Sequence, residues 1–285
     1  MKIVGKEVLA DSRGMRIVKI SVYSPDIAAK ARAGQFVVVM VSEAGERIPL
    51  TIVKADAAKG TIDLIVQEAG FTTKLLAGVA SGESLYALVG PLGHPTEIKN
   101  YGKVILVGGG VGIAEIYPVA KAMKGAGNHV TTIIGSRAKE LLILEQELAK
   151  VSDQAIVMTD DGSYARKGFV TQALQELLAQ GAYALVYAVG PIPMMKAVSA
   201  VTKPRAVPTL VSLNALMVDG TGMCGCCRVS VAGKVKFSCV DGPEFDAGDV
   251  DWEELLKRNS VYGEQEKHIC RLVNVPGMCD EKRSC

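Results

Sequence analysis

The sequence predicts an antiparallel β-barrel, then an α/β domain built on a parallel sheet, then a small cysteine-bearing module. Residues 1–98 alternate short β-rich runs with glycine-containing turns, a pattern typical of a small barrel. Helical spacing appears in that region only at residues 71–79. From 99 to 210, apolar runs alternate with amphipathic helices, which indicates βαβ units covered on both faces. Residues 211–285 hold all seven cysteines and a charged amphipathic tail.

The bulk composition excludes several classes of protein. The chain has 285 residues, 49% of them hydrophobic and 22% charged, which suits a folded protein of more than one domain. A formal net charge of +2 gives no indication of a nucleic-acid or membrane-surface partner. The N-terminal stretch lacks the apolar core of a signal peptide, and no run reaches the roughly 18 apolar residues of a membrane span. We therefore expect a cytoplasmic protein.

Three of the cysteines lie in one glycine-rich turn, MVDGTGMCGCCRVSV, at residues 217–231. Cys224 and Cys227 have the C-x2-C spacing that aims two sulfurs at one metal centre, and a later cysteine follows on a predicted hairpin strand. Plant-type [2Fe–2S] sites use C-x4-C-x2-C and a later cysteine. In that register an aspartate replaces the first cysteine, and its oxygen should alter the reduction potential of the iron that it binds. The predicted iron ligands are Asp219, Cys224, Cys227 and Cys239.

Other interpretations of the cysteine turn stay open. The mixed Cys/Asp set could hold a structural zinc ion, although the usual pairs of C-x2-C knuckles or added histidines are missing. The thiols could also be buried and unliganded. Cys226 or water could take the place of Asp219 on the iron. Cys270, Cys279 and Cys285 have no motif spacing.

A glycine-rich turn follows the apolar strand VILV and opens a helix. Its residues are Gly108, Gly109, Gly110, Val111 and Gly112. Glycines let the backbone approach a pyrophosphate, and the helix N-terminus offers N–H donors. The spacing is not a clean G-x-G-x-x-G, so a tight turn without a ligand is the alternative interpretation. The turn predicts a dinucleotide site.

Further turns are predicted at the same edge of the sheet, where ligands of such domains bind. The residues in them are Ser136, Arg137, Asp160, Asp161 and Gly190. Where an NAD-binding unit usually places an acidic residue on the ribose, this chain has Ser136 and Arg137. An arginine there could hold a 2′-phosphate, which would favour NADPH, or stack on adenine in either cofactor. The choice between NADH and NADPH therefore stays open.

Several motifs together resemble a known family. R-x-P-L-T at residues 47–51 is followed by EAGFTTKLL, GPLG, GGGVGIA and the distal cysteine turn. The combination is similar to the ferredoxin-reductase-like flavoproteins of the dihydroorotate dehydrogenase electron-transfer-subunit group, over essentially the whole chain. Within that group, the Asp-for-Cys exchange and the tail WEELLKRNSVYGEQEK most resemble the small subunits of electron-bifurcating NADH-dependent reduced ferredoxin:NADP⁺ oxidoreductases.

The resemblance implies an FAD site on the barrel. It places Arg47 near the pyrophosphate and Pro49, Leu50 and Thr51 along the isoalloxazine edge. Leu64, Ile65 and Val66 form the next flavin-facing strand. Gly70 and Thr73 match the family's G-x-G-T, with Thr72 in place of the second glycine. Without the family, Thr51 and Thr73 are simply a strand residue and a helix cap. The family commonly has proline where this chain has Glu115, and a carboxylate facing the nucleotide would weaken its binding.

The function that the resemblance implies is electron transfer. NADH would reduce FAD, and single electrons would pass through a [2Fe–2S] cluster to a larger flavin and iron–sulfur subunit, which deals with ferredoxin. No acid–base residue is needed for hydride transfer, so no catalytic residue is predicted. One alternative is the electron-transfer subunit of an NAD-linked dihydroorotate dehydrogenase. Another, from a different class, is a non-catalytic redox or zinc-dependent regulator that senses nucleotide.

Overall fold

The structure, a computed structural model, describes residues 1–272. The N-terminal strands are β1 (Ile3–Ser12), β2 (Met15–Tyr23), β3 (Phe36–Met40), β4 (Arg47–Asp56), β5 (Thr61–Gln67) and β6 (Ala87–Leu92). Their helices are α1 (Pro25–Lys30) and α2 (Phe71–Gly78). Helix α2 confirms the predicted one. Helix α1 was not predicted, because six residues are too few to show a helical period.

The six strands form one antiparallel sheet in the order β1-β2-β5-β4-β3-β6. The sheet closes into a barrel through backbone hydrogen bonds between the chain start and the segment before β6, such as Ile3 N–H to Glu83 O at 2.8 Å. Alternate side chains of the strands fill the interior, where Ile20, Ile62 and Leu64 are fully buried. These bonds join the two ends of the sheet where the chain starts, and the structure confirms the predicted barrel.

The second region alternates strands and helices. Its strands are β7 (Lys103–Gly109), β8 (His129–Ser136), β9 (Gln154–Thr159), β10 (Arg166–Lys167), β11 (Leu185–Val189) and β12 (Thr209–Ser212). Its helices are α3 (Ile113–Gly125), α4 (Glu145–Val151), α5 (Val170–Gln180) and α6 (Ile192–Thr202). The last part of the chain has β13 (Arg228–Val231), β14 (Lys234–Phe237), α7 (Ser238–Asp241), β15 (Glu244–Asp246), α8 (Trp252–Asn259) and α9 (Gly263–Leu272).

The larger sheet has the order β10-β9-β8-β7-β11-β12-β15. All neighbours are parallel except β15, which pairs antiparallel with β12. From β7 the chain winds outward through β8 and β9, then returns to β11 on the other side of β7. The strand order therefore reverses between β7 and β11. A crevice opens beyond the carboxyl ends of strands at such a reversal, which is where ligands bind in this architecture.

The C-terminal part is tied to both other regions. Strand β15 is an edge of the parallel sheet, while β13 and β14 form a separate two-stranded hairpin. Phe36 and Val38 of the barrel share one apolar core with Cys227 and Cys239. The predicted hairpin is present, but Cys239 lies in the helical turn α7 after the strand. There the Asp241 carboxylate accepts a hydrogen bond from the Phe237 N–H at 2.6 Å and turns the chain.

The structure also bears on two of the sequence-based expectations. Within residues 1–272 no helix is both long enough and apolar enough to cross a membrane. Cys279 and Cys285 lie outside the described residues.

We predict that the central strand β7 carries much of the stability of the α/β core. The Ile105 side chain is fully buried, so Ile105→Ala removes apolar contacts and leaves a cavity. We expect a loss of about 2–5 kcal/mol in the free energy of unfolding, measured by urea titration. The exposed hairpin residue Val235 supplies the control, since Val235→Ala should change that free energy by less than about 0.5 kcal/mol. Equal effects of the two variants would contradict the prediction.

Candidate functional site

A cavity of about 320 Å³ lies between the barrel and the carboxyl edge of the parallel sheet. Strands β4 and β5 form one wall, and the glycine-rich turn with the start of α3 forms the opposite wall. The segment after β12 closes the third side. The lining is mainly apolar with a few polar side chains, namely Thr51, Gln67, Thr73, Glu115, Ser212 and Asn214. Such a volume and lining are typical of a pocket for a flat organic ligand.

The structure brings eight of the predicted residues to this cavity: Pro49, Leu50, Thr51, Ile65, Val66, Thr73, Val111 and Gly112. The other predicted barrel residues lie elsewhere. Arg47 is exposed at the start of β4, and Leu64 points into the barrel core. Thr72 is buried and donates its hydroxyl proton to the Glu46 carboxylate. Leu64 faces inward because successive side chains of a strand alternate between the two faces.

Thr73 holds the start of helix α2 together. Its hydroxyl oxygen accepts the backbone N–H groups of Ala69 and Gly70 at 3.0 and 2.8 Å. The hydroxyl donates in turn to the Gly70 carbonyl at 2.9 Å. Thr73 thus acts as the helix-capping side chain that the local sequence allows, while it also contributes to the cavity wall.

The glycine turn packs against the end of β11 so closely that side chains are excluded. A Cβ on Gly112 would lie 2.6 Å from the Val189 carbonyl oxygen. A Cβ on Gly109 would meet the Met194 sulfur at 2.3 Å, and one on Gly108 would meet Ile113 and Ile116. Gly110 has a φ of +56° and faces open space. These glycines, with Gly190 opposite them, therefore form the floor of the crevice at the strand reversal.

The residues at the ends of β8 and β9 differ in whether they face the crevice. The Ser136 side chain is buried and its hydroxyl donates to the Ala138 carbonyl at 2.6 Å, so it does not face the crevice. Arg137 is exposed. Asp161 forms an ion pair with Arg13 of the barrel at 2.7 Å. The Ser163 hydroxyl and N–H lower the pKa of Asp161 to about 2. Burial raises the pKa of Asp160, against the effect of Arg137.

Glu115, at the start of α3, lines the cavity, and its carboxyl group is held by hydroxyl groups of two other elements. Its carboxyl group accepts hydrogen bonds from the hydroxyls of Ser212 on β12 and Thr51 on β4. Burial raises its pKa to about 7 despite these two bonds, and the nearby Glu244 carboxylate adds to the rise. Glu115 thus links the α/β domain to the barrel and is half protonated near neutral pH. The family's proline could make neither bond.

The four predicted iron ligands form two pairs, Cys227 with Cys239 and Cys224 with Asp219. The thiols of Cys227 and Cys239 are buried with their sulfurs 3.1 Å apart. Burial and the neighbouring Cys227 raise the pKa of Cys239 to about 12. Cys224 is exposed and its thiol is hydrogen-bonded to the Asp219 carboxylate. Among residues 1–272 no three His, Cys, Asp or Glu side chains converge tightly enough to hold a single metal ion.

This donor set fits an iron–sulfur cluster. Three thiols and one carboxylate, arranged as two pairs, suit a two-iron centre better than a single ion. A bound metal deprotonates its thiols, which removes the cost of two close, buried sulfurs. Gly220, Gly222 and Gly225 all have positive φ, and a Cβ on Gly220 would strike Val38 of the barrel at 2.7 Å. The turn therefore needs glycine to lie flat against the barrel.

Asp219 and Cys226 occupy different environments. The Asp219 carboxylate accepts the backbone N–H groups of Thr221 and Cys224, both at 2.6 Å, and these bonds lower its pKa. It is therefore ionised, as an iron ligand must be. Cys226 lies beside α8, where Arg258 donates to its backbone carbonyl at 3.1 Å. Its thiol also lies within hydrogen-bonding range of Cys224.

The cavity and the cysteine turn are adjacent. Met217, the first residue of the cysteine turn, lines the cavity, and Asp219 follows two residues later. Gly220 then lies against Val38, which is two residues after the cavity residue Phe36 and on the same face of β3. A redox group in the cavity would therefore sit next to a cluster in the turn.

The fold and the site define an NAD-binding oxidoreductase of the ferredoxin-reductase-like type with a C-terminal iron–sulfur domain. Residues 106–200 match the oxidoreductase NAD-binding domain family. Residues 214–251 match the iron–sulfur cluster binding domain of dihydroorotate dehydrogenase B. The second match begins just before the cysteine turn and ends at the start of α8, so it covers all four predicted ligands.

Similar proteins agree with these matches. A dihydroorotate dehydrogenase B (NAD(+)) electron transfer subunit homolog of Thermotoga maritima is 50% identical over 86% of this chain and 87% of its own length. The electron transfer subunit of Geobacillus thermodenitrificans is 33% identical over 88% and 97%. The chain belongs to this family of electron transfer subunits. A chain of the NADH-dependent reduced ferredoxin-NADP oxidoreductase, solved in a study of flavin-based electron bifurcation, has a TM-score of 0.90 at 46% identity and covers 96% of this chain and 98% of its own.

The sequence missed several cavity residues. Gln67, Ser212 and Asn214 carry no motif, and Ser212 and Asn214 come from a strand end more than 140 residues after Thr51. Gly34 and Phe36, just before and at the start of β3, also line the cavity. Only Glu115 gave a signal, because it departs from the family's proline. Its partners could not be inferred, since they depend on how the two domains pack.

We predict a pH-dependent stability that traces to Glu115. Its folded pKa of about 7 exceeds its ordinary 4.5, so its stabilising contribution is complete below about pH 4.5 and is lost as the pH rises through 7. Glu115→Gln removes this loss. The wild type should therefore lose stability relative to Glu115→Gln as the pH rises. The difference between their free energies of unfolding (variant minus wild type) should increase by about 2–4 kcal/mol between pH 5 and pH 8, measured by urea titration.

The control is Glu176→Gln on the exposed face of α5. The ion pair with Arg166 lowers the pKa of Glu176, so it does not titrate between pH 5 and 8. Its difference from the wild type should stay constant over that range. A constant difference for Glu115→Gln as well would contradict the prediction.

Proposed function

We propose that this chain oxidises NADH, or reduces NAD⁺, through FAD in the interdomain cavity and exchanges single electrons with a partner through a [2Fe–2S] cluster. The observation that carries the proposal is the adjacency of three features: the cavity, the glycine crevice at the strand reversal and the cysteine turn. A chain of electron carriers needs such short separations. Family membership supports the same function.

The barrel residues would hold FAD. Pro49, Leu50 and Thr51 line the cavity from β4, and Ile65 and Val66 line it from β5. We assign Arg47, Gly70, Thr72 and Thr73 to the phosphates, where α2 begins, and Leu64 to the backbone support of the flavin-facing strand. Bound FAD supplies the conversion between the two-electron chemistry of nicotinamide and the one-electron chemistry of a cluster.

The crevice at the strand reversal would bind the nicotinamide nucleotide. Gly108–Gly112 and Gly190 form its floor, and the helix α3 behind them offers its positive N-terminus to the pyrophosphate. Arg137 is exposed at the next strand end, where the adenosine of such nucleotides lies. We propose that Ser136, Asp160 and Asp161 shape the loops at that edge of the sheet and do not contact the nucleotide directly. NADH is preferred, because the structural relative is named NADH-dependent.

Asp219, Cys224, Cys227 and Cys239 would bind the two irons. The pair Cys227 and Cys239 already lies at contact distance, and Asp219 is hydrogen-bonded to Cys224. A carboxylate oxygen is a harder donor than a thiolate, so it should tune the potential of the iron that it binds. Arg258 and Arg228, which donate to the carbonyls of Cys226 and Gly225, hold the turn in place.

The chain would act with a larger flavin and iron–sulfur subunit that handles ferredoxin. Exposed apolar side chains surround the cysteine turn, Met223 being 90% exposed, and would suit a protein contact there. We divide the chain into an FAD domain (1–98), a nucleotide domain (99–210) and a cluster module (211–285). We place it in the cytoplasm, where thiols stay reduced.

A second candidate is the electron transfer subunit of an NAD-linked dihydroorotate dehydrogenase. The names of the Thermotoga and Geobacillus relatives favour it. It shares every step inside this chain and differs only in the partner. Copurification of the partner from the native host, followed by assays with dihydroorotate and with reduced ferredoxin, distinguishes the two.

We predict that Asp219 is an iron ligand. Anaerobically purified protein should contain one FAD and two irons per chain, and its EPR spectrum in the reduced state should differ between the wild type and Asp219→Cys, because sulfur replaces oxygen on one iron. Cys226→Ser is the matched control and should leave the iron content and the spectrum unchanged. Cys227→Ser should lose most of the iron.

The outcomes separate the assignments. A spectrum that changes in Cys226→Ser but not in Asp219→Cys would transfer the fourth ligand to Cys226. Zinc in place of iron, with no flavin, would favour the nucleotide-sensing regulator. Neither iron nor flavin after reconstitution would refute the electron-transfer function.

We also predict that the crevice depends on the missing side chain of Gly112. The methyl group of Gly112→Ala would collide with the Val189 carbonyl oxygen, which cannot move without breaking the sheet. We expect NADH to bind at least about tenfold more weakly, since the pyrophosphate loop must shift. Fluorescence titration measures the Kd. Gly125→Ala at the end of α3 meets no atom within 4 Å and should leave the Kd unchanged.

A further inference from the structure

The proposed function leaves one proton behind in the cavity at every turnover. A hydride carries two electrons and one proton from NADH, whereas an iron–sulfur cluster accepts electrons alone. When both electrons have left through the cluster, the proton that came with them must leave the flavin ring by another route. The balance per turnover is NADH to NAD⁺, two electrons and one proton. Some group of the cavity wall must take that proton before it reaches solvent.

Glu115 is suited to this task by its position. Among residues 1–272, the side chains that line the cavity include one titratable group, the carboxyl of Glu115. The remaining polar groups are hydroxyls, such as those of Thr51 and Ser212, which can pass a proton on but cannot retain it, and amides, such as that of Asn214, which do neither at neutral pH.

The hydrogen bonds of Glu115 connect it to the wall on which FAD would lie. Thr51, the last residue of R-x-P-L-T, donates its hydroxyl to the Glu115 carboxyl, and the Ser212 hydroxyl donates from the other side. Both hydroxyls also line the cavity. A proton released at the cavity side of Thr51 can therefore reach the carboxylate through one hydroxyl group.

The surroundings of Glu115 raise its pKa into the range in which it can exchange a proton at neutral pH. Burial is the main reason that its pKa rises to about 7. The charged and titratable groups that act on it are Glu244 of β15 and Tyr187 of β11. Tyr187 donates its hydroxyl to Glu244 at 2.8 Å, which keeps that second carboxyl engaged. Glu115 can thus accept a proton and release it again near neutral pH.

We propose that Glu115 is the proton acceptor of the cavity, which takes the proton left behind when the two electrons of each hydride pass to the cluster. The inference rests on the proposed function and adds an acid–base residue to it. The step breaks the N–H bond formed by the hydride and forms an O–H bond on Glu115. The electrons go to the cluster and then to a one-electron acceptor.

The test uses the full chain loaded with FAD and cluster, reduced by NADH and mixed with ferricyanide as the one-electron acceptor. In Glu115→Gln, the rate constant of flavin reoxidation should fall by about 100-fold or more compared with the wild type. The rate constant of flavin reduction by NADH should fall by much less. In the wild type the reoxidation rate should rise with pH through the pKa of Glu115, and the variant should lose this dependence. Glu115→Asp should recover part of the rate, and Glu176→Gln should behave as the wild type.

A second readout needs no turnover. In the cofactor-free wild type, the infrared absorption of protonated carboxyl groups should decrease between pH 6 and pH 8. The decrease should be smaller in Glu115→Gln by the contribution of one carboxyl group, because Glu244 is present in both proteins. Flavin-loaded Glu115→Gln that reoxidises at the wild-type rate with the wild-type pH profile would overturn the inference alone. A chain that binds no flavin would overturn the proposed function and the inference together.

Discussion

Two partly buried carboxyl groups, Glu115 and Glu244, link the barrel to the α/β domain, beside apolar cores that the two regions share. Glu115 receives the hydroxyls of Thr51 and Ser212, and Glu244 receives those of Thr96 and Tyr187. Each carboxyl therefore has one partner from the N-terminal part and one from the parallel sheet. A carboxyl group that is removed from water without a hydrogen-bond partner costs free energy. The hydroxyl groups therefore favour the arrangement of the two domains in which both carboxyls are paired. The cavity is the space that this arrangement leaves open.

The same junction explains why the cysteine turn lies beside the cavity. Barrel residues Phe36 and Val38 belong to one core with Cys227 and Cys239, so the turn cannot move independently of the barrel. Its glycines allow it to lie flat on β3. Rigidity of this kind suits electron transfer, since carriers at fixed, short separations need no motion of the chain between steps.

The comparisons and the geometry support each other at different levels. Family membership establishes an electron transfer subunit with NAD-binding and iron–sulfur domains. The geometry adds two features of this chain: the Asp219 carboxylate is held by the N–H groups of Thr221 and Cys224, and the Glu115 carboxyl joins the barrel to the α/β domain. One oxygen acid thus lies in the cysteine turn and the other in the cavity wall.

The sequence by itself determined the order of barrel, α/β domain and cysteine module, because strand and helix periods are local properties of the chain. It also determined the glycine turn and the C-x2-C turn, whose chemistry depends on residues close in sequence. Only the tertiary structure decided that Leu64 and Ser136 point away from the site and that Glu115 meets Thr51 and Ser212. The contacts of Glu115 join residues up to 97 positions apart, and their geometry depends on how the barrel and the sheet pack.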